Sequence, residues 1–217
     1  MNTNQKRITI LTADEIANLY DCPIFNATER EEYFALDDEI LMAVNALDKF
    51  ETKLYLMLLI GYFRAKPVVP QFTLKTAKQD VDYLCRVYFP DKKPKYGVVI
   101  QSTRTKLVNK MLALLDFERF DRRKHQDELI NRLQDIATIC SDPRYIFDEY
   151  LAFFGQKRIA LTGYSTAQKC ITEVLIAERQ RAESVFSHHM SDTTQQQLRN
   201  IMNSKGVLNK LSSYKGR

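Results

Sequence analysis

The sequence predicts an all-α fold, on three observations. Apolar residues recur at helical rather than alternating spacing, the signature of amphipathic helices. Breakers are scarce, with six Gly and six Pro in 217 residues, so long stretches can stay helical. Two stretches also share one layout: a helix, a short turn, and a second helix whose start carries hydroxyls, amides and cations. That is the layout of a helix-turn-helix DNA reader.

Each element has a local cause. Leu11-Thr12-Ala13-Asp14-Glu15 is a capping box, in which Thr12 accepts from the helix start and Glu15 reaches back. That helix runs to about Tyr20 and stops before Pro23. A short second helix is expected over residues 28–34, and Asp37 can cap a third. A fourth covers residues 48–64 until Pro67 and Pro70 stop it. Residues 76–89 make a fifth, with Val81, Leu84, Cys85 and Tyr88 on one face. A basic turn, Asp91-Lys92-Lys93-Pro94-Lys95-Tyr96-Gly97, leads into a helix that Ser102 or Thr103 can cap. It holds Leu107, Val108, Met111, Leu112, Leu114 and Leu115 inward. Residues 117–120 read as a hinge. Asp121 starts a long helix to Cys140, ended by Ser141-Asp142-Pro143. Helices over residues 144–156 and 166–189 follow, and a short one over 192–202 closes the ordered part. The expected division is a first helical unit over residues 1–118, a second over 119–202, and a flexible basic tail over 203–217.

Composition narrows the function class. Apolar residues at 45% and charged residues at 27% are ordinary for a soluble globular protein. The most apolar run, Leu54 to Phe63, is about half the length needed to cross a bilayer, so it reads as a core helix. No apolar signal region follows Met1-Asn2-Thr3-Asn4-Gln5-Lys6-Arg7, and a cytoplasmic location is expected. The four cysteines lie far apart, without CxxC spacing. Cys85, Cys140 and Cys170 are expected to be buried reduced thiols. His188 and His189 are adjacent, so their side chains diverge and do not readily share a metal. Asp80 and Asp82 point to different faces of a helix with no nucleophile beside them, and no catalytic site is expected. Neither a cofactor nor a small-molecule substrate is called for.

Charge is segregated. Residues 1–50 carry four basic and ten acidic side chains, a net of −6, whereas residues 64–124 carry fifteen against six, a net of +9. A local positive field attracts phosphate. Arg64, Lys66, Lys92, Lys93, Lys95, Arg122, Arg123 and Lys124 are the candidate phosphate contacts. The last three fall in a first helical turn, where cations oppose the macrodipole. The plain alternative is a solvated basic surface.

Projected at 100° per residue, Lys106, Asn109, Lys110 and Ala113 form a stripe opposite Leu107, Met111 and Leu115. Ser102, Thr103, Arg104 and Thr105 crowd the N-terminal end of that helix. Arg, Lys and Asn there suit guanine and adenine edges in a major groove. In the second candidate, Gly163 permits a tight turn, and Tyr164, Ser165 and Thr166 are expected at the groove edge. Gln168, Lys169, Thr172 and Arg179 are expected outward, with Cys170, Ile171, Val174 and Leu175 inward. Either pattern is also that of a capped amphipathic helix with a wet face.

Over residues 7–202 the chain resembles the N-terminal region of the replicative transposases (TnpA) of the Tn-three family. The likeness rests on Ile10-Leu11-Thr12-Ala13-Asp14-Glu15-Ile16, Glu31-Glu32-Tyr33-Phe34-Ala35-Leu36 and Leu59-Ile60-Gly61-Tyr62-Phe63-Arg64-Ala65. It continues through Asp80-Val81-Asp82-Tyr83-Leu84, Tyr88-Phe89-Pro90, Arg158-Ile159, Gly163-Tyr164-Ser165-Thr166 and Glu178-Arg179. The resemblance implies an all-helical module with CENP-B-like helix-turn-helix domains that recognises the terminal inverted repeats of a transposon. It also implies that the magnesium-dependent DDE catalytic domain lies far toward the C-terminus of the full protein and outside this chain. These residues are therefore expected to bind double-stranded DNA and not to cut it. The rival expectation is a helical protein-interaction module, for transposase self-association or as a free-standing regulator. The acidic first 50 residues favour it. A metal-dependent nuclease has only scattered carboxylates behind it.

Overall fold

The computed structural model describes residues 8–189 together with 191, 193, 194, 196 and 197. Most of the helix expected over 192–202, and all of the tail over 203–217, lie outside the described residues. The helices are α1 (Ala13–Tyr20), α2 (Ala27–Tyr33), α3 (Asp38–Asn45), α4 (Phe50–Ala65), α5 (Lys78–Tyr88), α6 (Gln101–Leu114), α7 (Arg122–Ile139), α8 (Pro143–Gln156) and α9 (Tyr164–His189). The fold is all-α, with two isolated β-bridges among the described residues.

The first three helices start as their side chains dictate. Thr12 and Glu15 form the expected capping box, Asn26 and Glu29 form a second, and Asp37 caps α3 by accepting from the Ile40 N–H at 2.9 Å. Helix α4 is apolar all round from Leu54 to Phe63, and every residue of that run is buried. A helix of this kind can only sit inside a core. Accordingly α2, α3, α5 and α6 all pack on α4, and their apolar faces make the first hydrophobic cluster. Fully burying each large side chain there contributes roughly 1.5–3 kcal/mol.

Helices α7, α8 and α9 pack on one another around Leu129, Leu133, Phe147, Tyr150, Phe153 and Ile171, the heart of a second cluster. Helix α1 belongs here as well. Leu11 is buried in the second cluster, with Ile16, Leu19 and Tyr20 beside it, although the chain goes straight from α1 into the first cluster.

The expected hinge at 117–120 is stitched on both sides. Phe117 meets Phe63 edge-on at 5.0 Å, and Phe120 stacks on Phe154 at 5.4 Å. The Glu118 N–H donates to the Arg158 carbonyl, and the Ala160 N–H donates to the Glu118 carbonyl. A second bridge joins Leu161 to Val68. The extended segment 159–161 alternates faces, as a strand does: Ile159 and Leu161 enter the second cluster and Ala160 enters the first. It zips the two cores together.

Helices α6 and α8 end the same way, at Asp116 (φ 55) and Arg158 (φ 51) in the left-handed region. At each end a 6→1 bond (Phe117 N–H to Leu112, Ile159 N–H to Phe154) accompanies a 5→2 bond, which is a Schellman motif without glycine. The Arg158 guanidinium donates to the Leu115 and Asp116 carbonyls at 2.6 and 2.8 Å, tying the two helix ends to each other.

Candidate nucleic-acid interface

Helix α6 presents Ser102, Thr105, Lys106, Asn109 and Ala113 to solvent and buries Leu107, Val108, Met111 and Leu112, as the projection predicts. Its start departs from expectation. Neither Ser102 nor Thr103 is the cap: both lie in the first turn, and the capping position is Ile100, which offers no side-chain oxygen. No acidic residue lies in that turn either. The first turn therefore has neither a side-chain cap nor a carboxylate of its own. Arg104 is not at the surface edge. Its Nε donates to the Val99 carbonyl at 2.7 Å and its guanidinium covers the Tyr55 ring, so it holds the incoming loop. Asn109 accepts from Arg119 Nε at 2.9 Å, and Lys110 is half-buried.

The expected phosphate cations divide. Arg64 donates to the Ala35 carbonyl and Lys66 donates to the Asp21 carbonyl at 2.9 Å; both tie down the loops around α2. Lys92 lies over the Phe50 and Phe89 rings but remains exposed, as do Lys93 and Lys95. Lys124 pairs with Glu118 at 2.5 Å, and the Asp121 carboxylate accepts from the Arg123 N–H at 2.8 Å. The clash of cations with the α7 dipole is thus eased by two carboxylates of the chain itself. His125, buried behind them, accepts from the Asp121 N–H through Nδ1, so Nε2 carries the proton toward Glu118 at 3.1 Å. Arg122 and Arg123 stay exposed.

The second unit departs further from expectation. Tyr164 is not at a groove edge. Its hydroxyl accepts from the Ile10 and Leu11 N–H groups, both at 3.1 Å. Gln168, expected outward, donates to the Ile8 carbonyl at 2.7 Å. Thr172 is buried, its hydroxyl donating to the Gln168 carbonyl. The extended N-terminal segment, residues 8–11, lies as a strap across this side of α9, held by Tyr164 and Gln168. Gly163 shows no left-handed φ, so the turn does not use glycine's freedom. Ser165, Thr166 and Lys169 are exposed, as is Arg179, which pairs with Glu183. Thr166, Lys169 and Arg122 share one shallow recess of about 100 Å³ with Gln126 and Glu173, which brings the starts of α7 and α9 together.

Tyr164→Phe is predicted to leave two backbone donors without their acceptor and to cost about 1–3 kcal/mol. Tyr20→Phe serves as its control, because the buried Tyr20 hydroxyl has no hydrogen-bond partner among the described residues. Thermal melts should separate the two, with a clear loss for Tyr164→Phe and none for Tyr20→Phe.

The largest unforeseen feature is a buried ion pair. Asp80 accepts from Arg30 Nε at 2.6 Å and from the Tyr62 hydroxyl at 2.5 Å. Burial and this bond to a carboxylate push the Tyr62 phenol well above its usual range. Arg30 and Asp80 lie 50 positions apart, and no local pattern links them. Of the cysteines, all free, only Cys85 is buried outright; Cys22, Cys140 and Cys170 are half-buried. Among the described residues no group of three His, Cys, Asp or Glu is placed to hold a metal ion. No described helix is long and apolar enough to cross a membrane.

The match to known families runs from the strap to the last buried turn of α9. The family described as a domain of unknown function (DUF4158) matches residues 10–174. The chain belongs to this family. The DUF4158 region begins at Ile10, whose N–H meets Tyr164, and ends at Val174, buried in the second cluster. It therefore takes in both hydrophobic clusters, the two bonds from the N-terminal segment to Tyr164, and the bridges. No curated protein matches the sequence.

Proposed function

We propose that this DUF4158 chain binds duplex DNA sequence-specifically, recognising the terminal inverted repeats of a transposon as the non-catalytic N-terminal part of a transposase. Two helical reading units share the work: α6 is the recognition helix of one and the start of α9 that of the other, in a helix-turn-helix-like arrangement. The observation that carries the reading is the open start of α6. An uncapped first turn without carboxylates, followed by an exposed Ser102, Thr105, Lys106 and Asn109 stripe, offers positive helix-end amides to phosphate and polar side chains to base edges. The recess holding Arg122, Thr166 and Lys169 supports a second contact, and Lys92, Lys93 and Lys95 supply phosphate contacts beside the first. Arg104, Tyr164 and Gln168 drop out as direct readers, because their polar groups serve the fold.

Lys106→Ala is expected to cost ~1–3 kcal/mol of discrimination between the cognate repeat and a base-substituted one. Arg122→Ala or Lys93→Ala should weaken all duplexes alike. Fluorescence anisotropy with both duplexes measures the difference. Wild-type affinity and selectivity in a Lys106→Ala/Lys169→Ala double variant would sink the assignment of reading helices.

A second reading, a helical interaction module for transposase assembly or a free-standing regulator, is favoured by α3. There Met42 is 67% exposed beside the exposed acids Asp38 and Glu39. Self-association that persists at high salt, without DNA affinity, is its signature.

A further inference from the structure

We propose that the recess enclosed by the α1–α2 connection, α4 and the start of α5 binds a small organic anion with a flat apolar body. The recess measures about 520 Å³, within the range of small-molecule sites. Its floor is aromatic: Phe25 and Tyr62 lie 5.6 Å apart, and Phe72 meets Tyr62 edge-on at 5.1 Å. Such a floor favours a flat ring, which gains stacking or edge contacts beyond simple burial.

The polar groups on the wall specify the charge of the ligand. Arg30 lines the recess with its side chain 16% exposed. Nε is committed to Asp80 and Nη2 to the Gln79 side-chain oxygen. Nη1 has no hydrogen-bond partner among the described residues, which leaves one edge of a guanidinium for an acceptor. The Asp80 carboxylate is already engaged on both oxygens, by Arg30 and by the Tyr62 hydroxyl. Lys78 stands at the rim, 67% exposed, where its ammonium also pairs with Asp82 at 3.3 Å. Arg30 and Lys78 against Asp80 leave the lining with one net positive charge. An anionic group meeting Arg30 gains a charge-assisted hydrogen bond, while the body of the ligand covers the aromatic floor. An inorganic anion wastes the floor, and a neutral ring leaves the Arg30 edge unsatisfied. The site is independent of the DNA reading, since none of its lining residues is among the proposed DNA contacts.

The test is an amide-resolved NMR titration of the full chain, without DNA, using 2-naphthoate, the neutral 2-naphthalenemethanol and inorganic phosphate as three separate probes. Saturable shifts confined to residues 22–30, 62 and 71–80, with 2-naphthoate at least tenfold tighter than either other probe, are expected. Gln71→Trp, at an exposed rim position, should fill the mouth and abolish those shifts. Lys78→Gln should weaken binding severalfold with an unchanged melting temperature. No saturable shift with 2-naphthoate, equal binding of all three probes, or full binding by both variants overturns the proposal.

Discussion

Asp80→Ala is expected to be the most damaging single substitution in this chain, costing about 3–5 kcal/mol, the range seen when one partner of a buried ion pair is removed. The variant leaves the Arg30 guanidinium, 16% exposed, with its principal counter-charge gone. It also leaves the buried Tyr62 hydroxyl without the acceptor that now lies 2.5 Å away. Asp80→Asn keeps the shape and one acceptor but loses the charge, and should fall between. Replacing Arg30 and Asp80 together by Met and Leu removes both charges, and should recover much of the loss. A chemical-denaturation series over these variants reads the order directly. A double variant less stable than Asp80→Ala would show that the pair contributes more than mutual charge compensation.

Gly61→Ala should be the second most damaging. A methyl group on Gly61 would lie 2.2 Å from two ring carbons of Phe34, closer than any real contact. Phe34 cannot step aside cheaply. It is 1% exposed and meets Phe25 and Tyr62 with ring centroids 5.4 and 5.9 Å apart. In an exposed helix the change would add up to about 1 kcal/mol of helix propensity; here overpacking, typically about 1–3 kcal/mol or more, outweighs it. A melting-temperature drop in Gly61→Ala that Phe34→Leu partly reverses would identify the clash as the cause. A melting temperature at or above wild type would contradict it.

What was legible in the sequence was local. The Thr12/Glu15 box and the Asp37 and Asp121 caps act within three residues of themselves, so sequence neighbours determine them. The buried run of α4 was legible because only a core accommodates a helix apolar on every side. The inward face of α6 followed from its 3.6-residue period, since α6 has one buried side.

The same projection misled at α9. It assumes one packed face and one wet face, but the start of α9 is packed by α7 and α8 on one side and crossed by residues 8–11 on another. Gln168 and Thr172 therefore lie covered where the projection put them outward. Arg104 and Arg64 counted as free cations because charge composition cannot see a carbonyl within reach. The strap through Tyr164 joins residues more than 150 positions apart, and the Arg30–Asp80 pair spans 50. Neither leaves a periodic trace. The shared helix–turn–helix layout also looks different in three dimensions: α5 and α6 both lean on α4, across the long connection 89–100, whereas α8 and α9 pack together with α7.

DNA-end recognition is tested most directly by titrating the chain against a duplex of the matching terminal inverted repeat and a scrambled duplex of equal length, across salt. Tighter binding to the repeat by at least about a thousandfold, the low end for specific readers, is expected. A steep fall in affinity between about 50 mM and 200 mM salt should accompany it, as phosphate-bound counterions are released. Equal affinity for the two duplexes, or none for either, would contradict DNA-end recognition.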